Sequence, residues 1–127
     1  VGTFIGRDKD KTTPQNLEDF AKIWPPIVRF AAEHQVKIAI ENCPMIFSYD
    51  EWPGGHNIAY SPRIWRRIFE EWGNAVGMNF GPSHLVLQMI DQTRFIREFG
   101  HSVVAYLSRS MIQRLDEQCA GVLARSV

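Results

Sequence analysis

Val36-Lys37-Ile38-Ala39-Ile40-Glu41-Asn42 decides the fold. From Val36 to Ile40 the residues are nearly all apolar, a pattern a strand adopts when both of its faces are buried, as in a parallel sheet covered by helices. Glu41 is the first charge after that run. A carboxylate left there without a partner is costly, so it calls for a cation or an arginine. A buried salt bridge or a helix-capping carboxylate would meet the same need.

Upstream, Val1 to Gly6 is short, apolar and β-branched, and it ends in the polar run Arg7 to Lys11. That predicts a strand and a loop. The chain starts inside this strand, so it is treated as a possible fragment of a longer protein. Thr13 and Pro14 supply an N-cap and a first-turn proline for a helix carrying Leu17, Phe20, Ala21, Trp24, Ile27, Val28 and Ala31 at helical spacing. Pro25 and Pro26 fall inside that pattern and predict a kink or break near Trp24.

Downstream, residues 42–57 hold Pro44, Pro53, Gly54 and Gly55 among Phe47, Tyr49 and Trp52, without either period. This is a loop of about 16 residues, a length that in compact domains accompanies function or disorder, and its aromatics argue against disorder. Ser61 and Pro62 begin a second helix with Ile64, Trp65, Ile68, Phe69 and Trp72, which stops near Gly73. Val76 to Phe80 is a third strand, Asp91 caps a third helix that Gly100 closes, and Ser102 to Leu107 is a fourth strand. Residues from Met111 to Val127 are weakly helical at best. The order strand, helix, strand, helix, strand, helix, strand specifies parallel pairing and an α/β architecture. Periodicity does not separate part of a (β/α)8 barrel from a small open sheet, although a whole barrel of about 250 residues needs roughly twice this length.

Composition narrows the function classes. The 127 residues are 45% hydrophobic, enough for one domain and one core. Fourteen basic residues balance fourteen acidic ones, so no net field favours nucleic acid or an anionic membrane, and a small or neutral partner is expected. Cys43 and Cys119 lack a CxxC spacing, which suits a reducing compartment, and no apolar run approaches the roughly 20 residues of a membrane span. The expectation is a cytoplasmic protein.

Polar groups at the C-terminal ends of parallel strands meet on one face, where ligands bind. Here they are Arg7 and Asp8, then Glu41 and Asn42, then Asn79 with His84. In the long loop, Trp52, His56, Asn57 and Tyr60 could wall a sugar ring, or Trp52 and Tyr60 could simply anchor the loop.

The stretches TFIGRDK, VKIAIENCPM, EWPGGHNIAYSPRIWRRIFEEW and MNFGPSHL resemble consecutive parts of the sugar phosphate isomerase/epimerase family, the xylose isomerase-like TIM barrels. The resemblance covers about residues 1–100, and residues 101–127 match poorly. It implies an α/β fold made of a parallel-stranded segment, about half, of a (β/α)8 TIM barrel. It also implies a metal-dependent isomerase or epimerase of sugars or related polyols, using divalent Mn, Mg, Co or Zn. Glu41 matches the family's catalytic, metal-binding glutamate, and His84 matches a histidine that contacts metal or substrate. Arg7, Trp52, His56, Asn57, Asn79 and Arg109 are the expected substrate contacts. The family's DPSH reads Gly81-Pro82-Ser83-His84 here, without the aspartate. Its HVHAKD-like stretch reads Ala105-Tyr106-Leu107-Ser108-Arg109-Ser110, without the histidine. Losing an anionic ligand weakens binding of a hard cation, so weak metal binding is expected. Two alternatives stand beside this one. The first is an endonuclease acting at abasic sites, against which the balanced charge counts. The second is a non-catalytic or truncated remnant that self-associates through open barrel edges.

Overall fold

The computed structural model describes residues 1–48, 51–52, 54–73 and 75–106. Four strands, β1 (Gly2–Thr3), β2 (Ile38–Glu41), β3 (Val76–Phe80) and β4 (Val103–Tyr106), form one sheet in the order β1-β2-β3-β4. Every pairing is parallel. The crossovers carry α1 (Thr13–Glu33), α2 (Pro62–Trp72) and, between β3 and β4, α3 (Pro82–Leu87), α4 (Gln92–Phe99) and a 3-10 turn (Gly100–Ser102). The α/β class with an all-parallel sheet is therefore as the sequence indicates. None of the helices among the described residues is long and apolar enough to cross a membrane.

The apolar run of β2 is buried at every position, and register explains how. Ile38 pairs with Val76 and Ile40 with Met78, and these side chains join Phe80 in the hydrophobic core. On the opposite face Ala39 stands between Gly2 and Gly77, and one step on Glu41 stands beside Asn79. One face is thus bulky and the other small. Gly77 is required by close approach, because a Cβ there would lie 2.6 Å from Val104 Cγ1 and 2.7 Å from the Ser102 carbonyl oxygen.

The core is aromatic on the helix side. Trp65 is fully buried, lies edge-on to Phe95 at 5.3 Å and Phe99 at 5.6 Å, and donates its indole N–H to the Ala59 carbonyl at 2.7 Å. Phe80 stacks on Phe95 at 4.7 Å, and Phe20 of α1 meets Trp72 of α2 edge-on at 4.6 Å. These contacts seat α1, α2 and α4 against the sheet and so aim the strand ends in one direction.

Three local expectations differ from the structure. Thr12, not Thr13, caps α1, in a reciprocal capping box with Gln15. No break occurs at Trp24, since α1 runs through Pro25 and Pro26. Prolines at these positions leave the carbonyls of Ala21 and Lys22 without helical donors, and Phe20, Trp24, Val28 and Ala31 hold the helix by packing on the core. The helix expected as the third, capped by Asp91, is the fourth, because Pro82–Leu87 form the short helix α3 before it, too short to show a period. Leu107 and the stretch Met111–Val127 lie outside the described residues.

Exposed Pro26 is a stability test. Pro26→Ala restores a backbone donor in the helix interior, so stability should rise by about 2 kcal/mol, the interior-proline cost less the unfolded-chain entropy that proline removes. Urea denaturation reads the change, and an unchanged or lower midpoint contradicts an unbroken α1.

Candidate functional site

The C-terminal edge of the sheet is bound together by two asparagines. Asn42, fully buried, extends β2 toward β3 with its side chain: its amide oxygen accepts from Gly81 N–H at 2.8 Å and its amide nitrogen donates to Gly81 C=O at 3.0 Å. Asn57, also fully buried, links β1, β2 and the long loop. Its oxygen accepts from Ile5 N–H and Ala59 N–H, both at 3.1 Å, and its nitrogen donates to Glu41 C=O at 2.8 Å and Cys43 C=O at 2.6 Å. Buried backbone groups that leave a strand without a partner are costly, and these amides satisfy them.

The loop therefore folds back instead of standing open. Arg7 N–H donates to His56 C=O at 2.9 Å and Ile58 N–H to Ile5 C=O at 2.9 Å, which gives an antiparallel bridge between Gly6 and Asn57. Glu51 holds the outer part. It accepts from the Lys9 ammonium, from Phe47 N–H at 2.7 Å and from His56 Nε2 at 3.1 Å. Lys9 chiefly, then the Phe47 N–H, brings its carboxyl down to about 2, so it stays ionised. Nothing periodic in the sequence singles out Glu51 for this role.

Within this frame Glu41 is 9% exposed, with its carboxylate on the small face of the sheet. Asn79, its register partner, points its amide nitrogen at Glu41 Oε1 from 3.4 Å. No lysine, arginine or histidine forms a salt bridge with Glu41 among the described residues. Burial accordingly pushes its carboxyl pKa up, in the direction that favours holding a proton.

The remaining expected site residues are placed unequally. Arg7 donates to Gly54 C=O and lies 6.0 Å over the Tyr60 ring, while its buried Nε has no partner among the described residues. The side-chain nitrogen and oxygen of Asn57 are occupied by backbone groups. His56 is held by Glu51 and lies edge-on to Phe47 at 5.1 Å. Trp52 is 44% exposed at the loop surface. His84 sits half-buried in α3, and burial lowers its imidazole pKa, in the direction that favours the neutral ring. Arg109 lies outside the described residues. Glu41 and Asn79 are thus brought together, whereas Trp52 and His56 lie in the long loop after β2, and Arg7, in the segment after β1, hydrogen-bonds to that loop.

A hard divalent cation wants six or more oxygen ligands, several of them anionic. Among the described residues no three of His, Cys, Asp and Glu come together. The carbonyls of Glu41, Cys43 and Gly81 already accept side-chain amides, and Gly81 offers no side chain. Cys43 Sγ accepts from Met45 N–H at 3.3 Å, and burial raises its thiol pKa. These residues do not fit the Mn, Mg, Co or Zn site implied by the resemblance. No protein-family model matches the chain, and no curated protein sequence matches it.

Two outcomes follow from this geometry. Asn57→Ala should destabilise the fold by about 2–4 kcal/mol, because it strands two buried N–H groups and two buried carbonyls; a loss below about 0.5 kcal/mol in urea unfolding would contradict the bracing role. Calorimetry with Mn2+ or Zn2+ should give a Kd no tighter than roughly millimolar. A submicromolar Kd that disappears in Glu41→Ala is the opposing result.

Proposed function

We propose that the chain is a segment, about half, of a xylose isomerase-like (β/α)8 barrel whose strand-end face binds a small sugar or related polyol. In this proposal Glu41 is the group that moves a proton next to the sugar carbonyl. The observation that carries it is the Glu41–Asn79 pair: a buried carboxylate without a basic salt-bridge partner among the described residues, steadied by an amide, at the edge of a parallel sheet where such folds take ligands.

Ionised Glu41 takes the proton from the carbon beside the carbonyl and becomes a carboxylic acid. The C–H electron pair forms a C=C bond while the C=O π pair moves onto the oxygen, giving an enediolate, and return of the proton reverses both shifts and restores the sugar. Asn79 acts as a positioning residue by fixing the carboxylate rotamer. The raised pKa suits a base that works nearer neutrality than an ordinary carboxylate. A complete isomerisation also needs a group to return the proton at the neighbouring carbon, and burial, not a neighbouring acid among the described residues, is what raises the Glu41 pKa. That observation favours a second reading, in which the chain is a non-catalytic remnant that retains only binding.

Proton exchange separates the two. Incubated with fructose in deuterium oxide, the protein should exchange the protons on the carbon next to the carbonyl faster than buffer, as followed by proton NMR. The rate should rise with pH and level off above a pKa higher than that of an ordinary glutamate carboxyl. Glu41→Gln should reduce the protein-dependent rate by roughly 100-fold or more. Equal rates for the protein, Glu41→Gln and buffer would discard the catalytic proposal in favour of the remnant.

A further inference from the structure

We infer that the cleft between α2 and α4 is a binding site for a zwitterionic α-amino acid with an apolar side chain. The cleft holds about 400 Å³, within the range of roughly 300–1,000 Å³ that small-molecule sites occupy. It is built from helix and turn residues, none of them in a strand, so it does not depend on proton transfer at Glu41. Helical spacing puts its lining on two facing sides. Pro62 and Arg66 stand one turn apart on α2, and Asp91, Arg94 and Glu98 follow one another at three and four residues from the cap of α4 onward. Between them Phe95 and Phe99, both buried and 5.3 Å apart, supply an aromatic floor.

The charges of the lining select the ligand. Arg66 and Glu98 satisfy each other: the carboxylate accepts from Nε and, at 3.0 Å, from Nη2, and the guanidinium lies 5.9 Å from the Phe99 ring. This pair joins α2 to α4. Asp91 and Arg94 are not matched in that way. One carboxylate oxygen of Asp91 accepts from the Arg94 backbone N–H at 3.0 Å as the helix cap, and neither side chain has a salt-bridge partner among the described residues. On the opposite side α2 begins at Pro62 without a side-chain cap from Ser61, so its dipole adds a weak positive field. A cation, an anion and an aromatic floor complement a carboxylate, an ammonium and an apolar side chain carried on one carbon. An organic acid alone would set a like charge against Asp91, and an amine alone would do so against Arg94. Met89, 88% exposed, brings a flexible thioether to the lining, suited to packing on an apolar side chain.

Calorimetric titration of the whole chain with L-phenylalanine, hydrocinnamate and phenethylamine tests the inference, because the three probes share a ring and differ in charge. L-Phenylalanine should bind with a Kd on the order of 1 mM or tighter. Each singly charged analogue should bind more weakly by roughly tenfold or more. Asp91→Asn retains a good helix cap while removing the negative charge, and Arg94→Gln removes the positive charge from an exposed position. Both variants should keep the far-UV circular dichroism of the folded chain, and each should raise the Kd for L-phenylalanine by roughly tenfold. No saturable binding of L-phenylalanine, an analogue that binds as tightly, or an affinity indifferent to either variant would each overturn it.

Discussion

Four hydrogen bonds from one buried amide, that of Asn57, hold the end of β1, the end of β2 and the return of the long loop in a single arrangement. Parallel strands stop abruptly at their C-terminal ends, and the N–H and C=O groups left there are out of reach of water. An asparagine side chain offers both an acceptor and donors, so it can satisfy both kinds of group at once. Asn42 does the same between β2 and β3 through Gly81. Once these amides are in place, the loop is tied against β1, and the direction of Glu41 is set by the strand that carries it.

The bracing also shapes the chemistry. The carbonyls nearest to Glu41 accept amide donors, and the register partner of Glu41 is an amide instead of a second acid. The result is a carboxyl group whose environment favours its protonated form, where the same burial with a basic neighbour would have favoured the anion. Glu51 shows the contrast within the same chain. Lys9, the Phe47 N–H and His56 surround it, and it is firmly ionised. Two glutamates ten residues apart in sequence thus differ in their proton affinity because of what surrounds them.

Much of the architecture was legible in the residues. The unbroken apolar run ending at Glu41 announced a strand buried on both faces, and the alternation of strand and helix patterns announced parallel pairing. What periodicity missed was short or packing-dependent. Helix α3 spans six residues, too few to display a helical repeat, and α1 continues through two prolines because its aromatic face is anchored in the core. At the candidate site, Glu41 and Asn79 could be nominated from their places at strand ends, but their pairing depends on the register of β2 against β3. Asn57 was legible as a polar residue in an aromatic loop, and it turned out to be a brace.

By itself the sequence determined the α/β class, the parallel sheet and the strand that carries Glu41, because these follow from hydrophobic period and from which segments must lose contact with water. Only the tertiary structure decided which polar groups face one another. Hydrogen bonding acts over about 3 Å, and residues 16 to 52 positions apart along the chain, such as Asn57 with Glu41 and with Ile5, reach that distance only when the sheet has assembled.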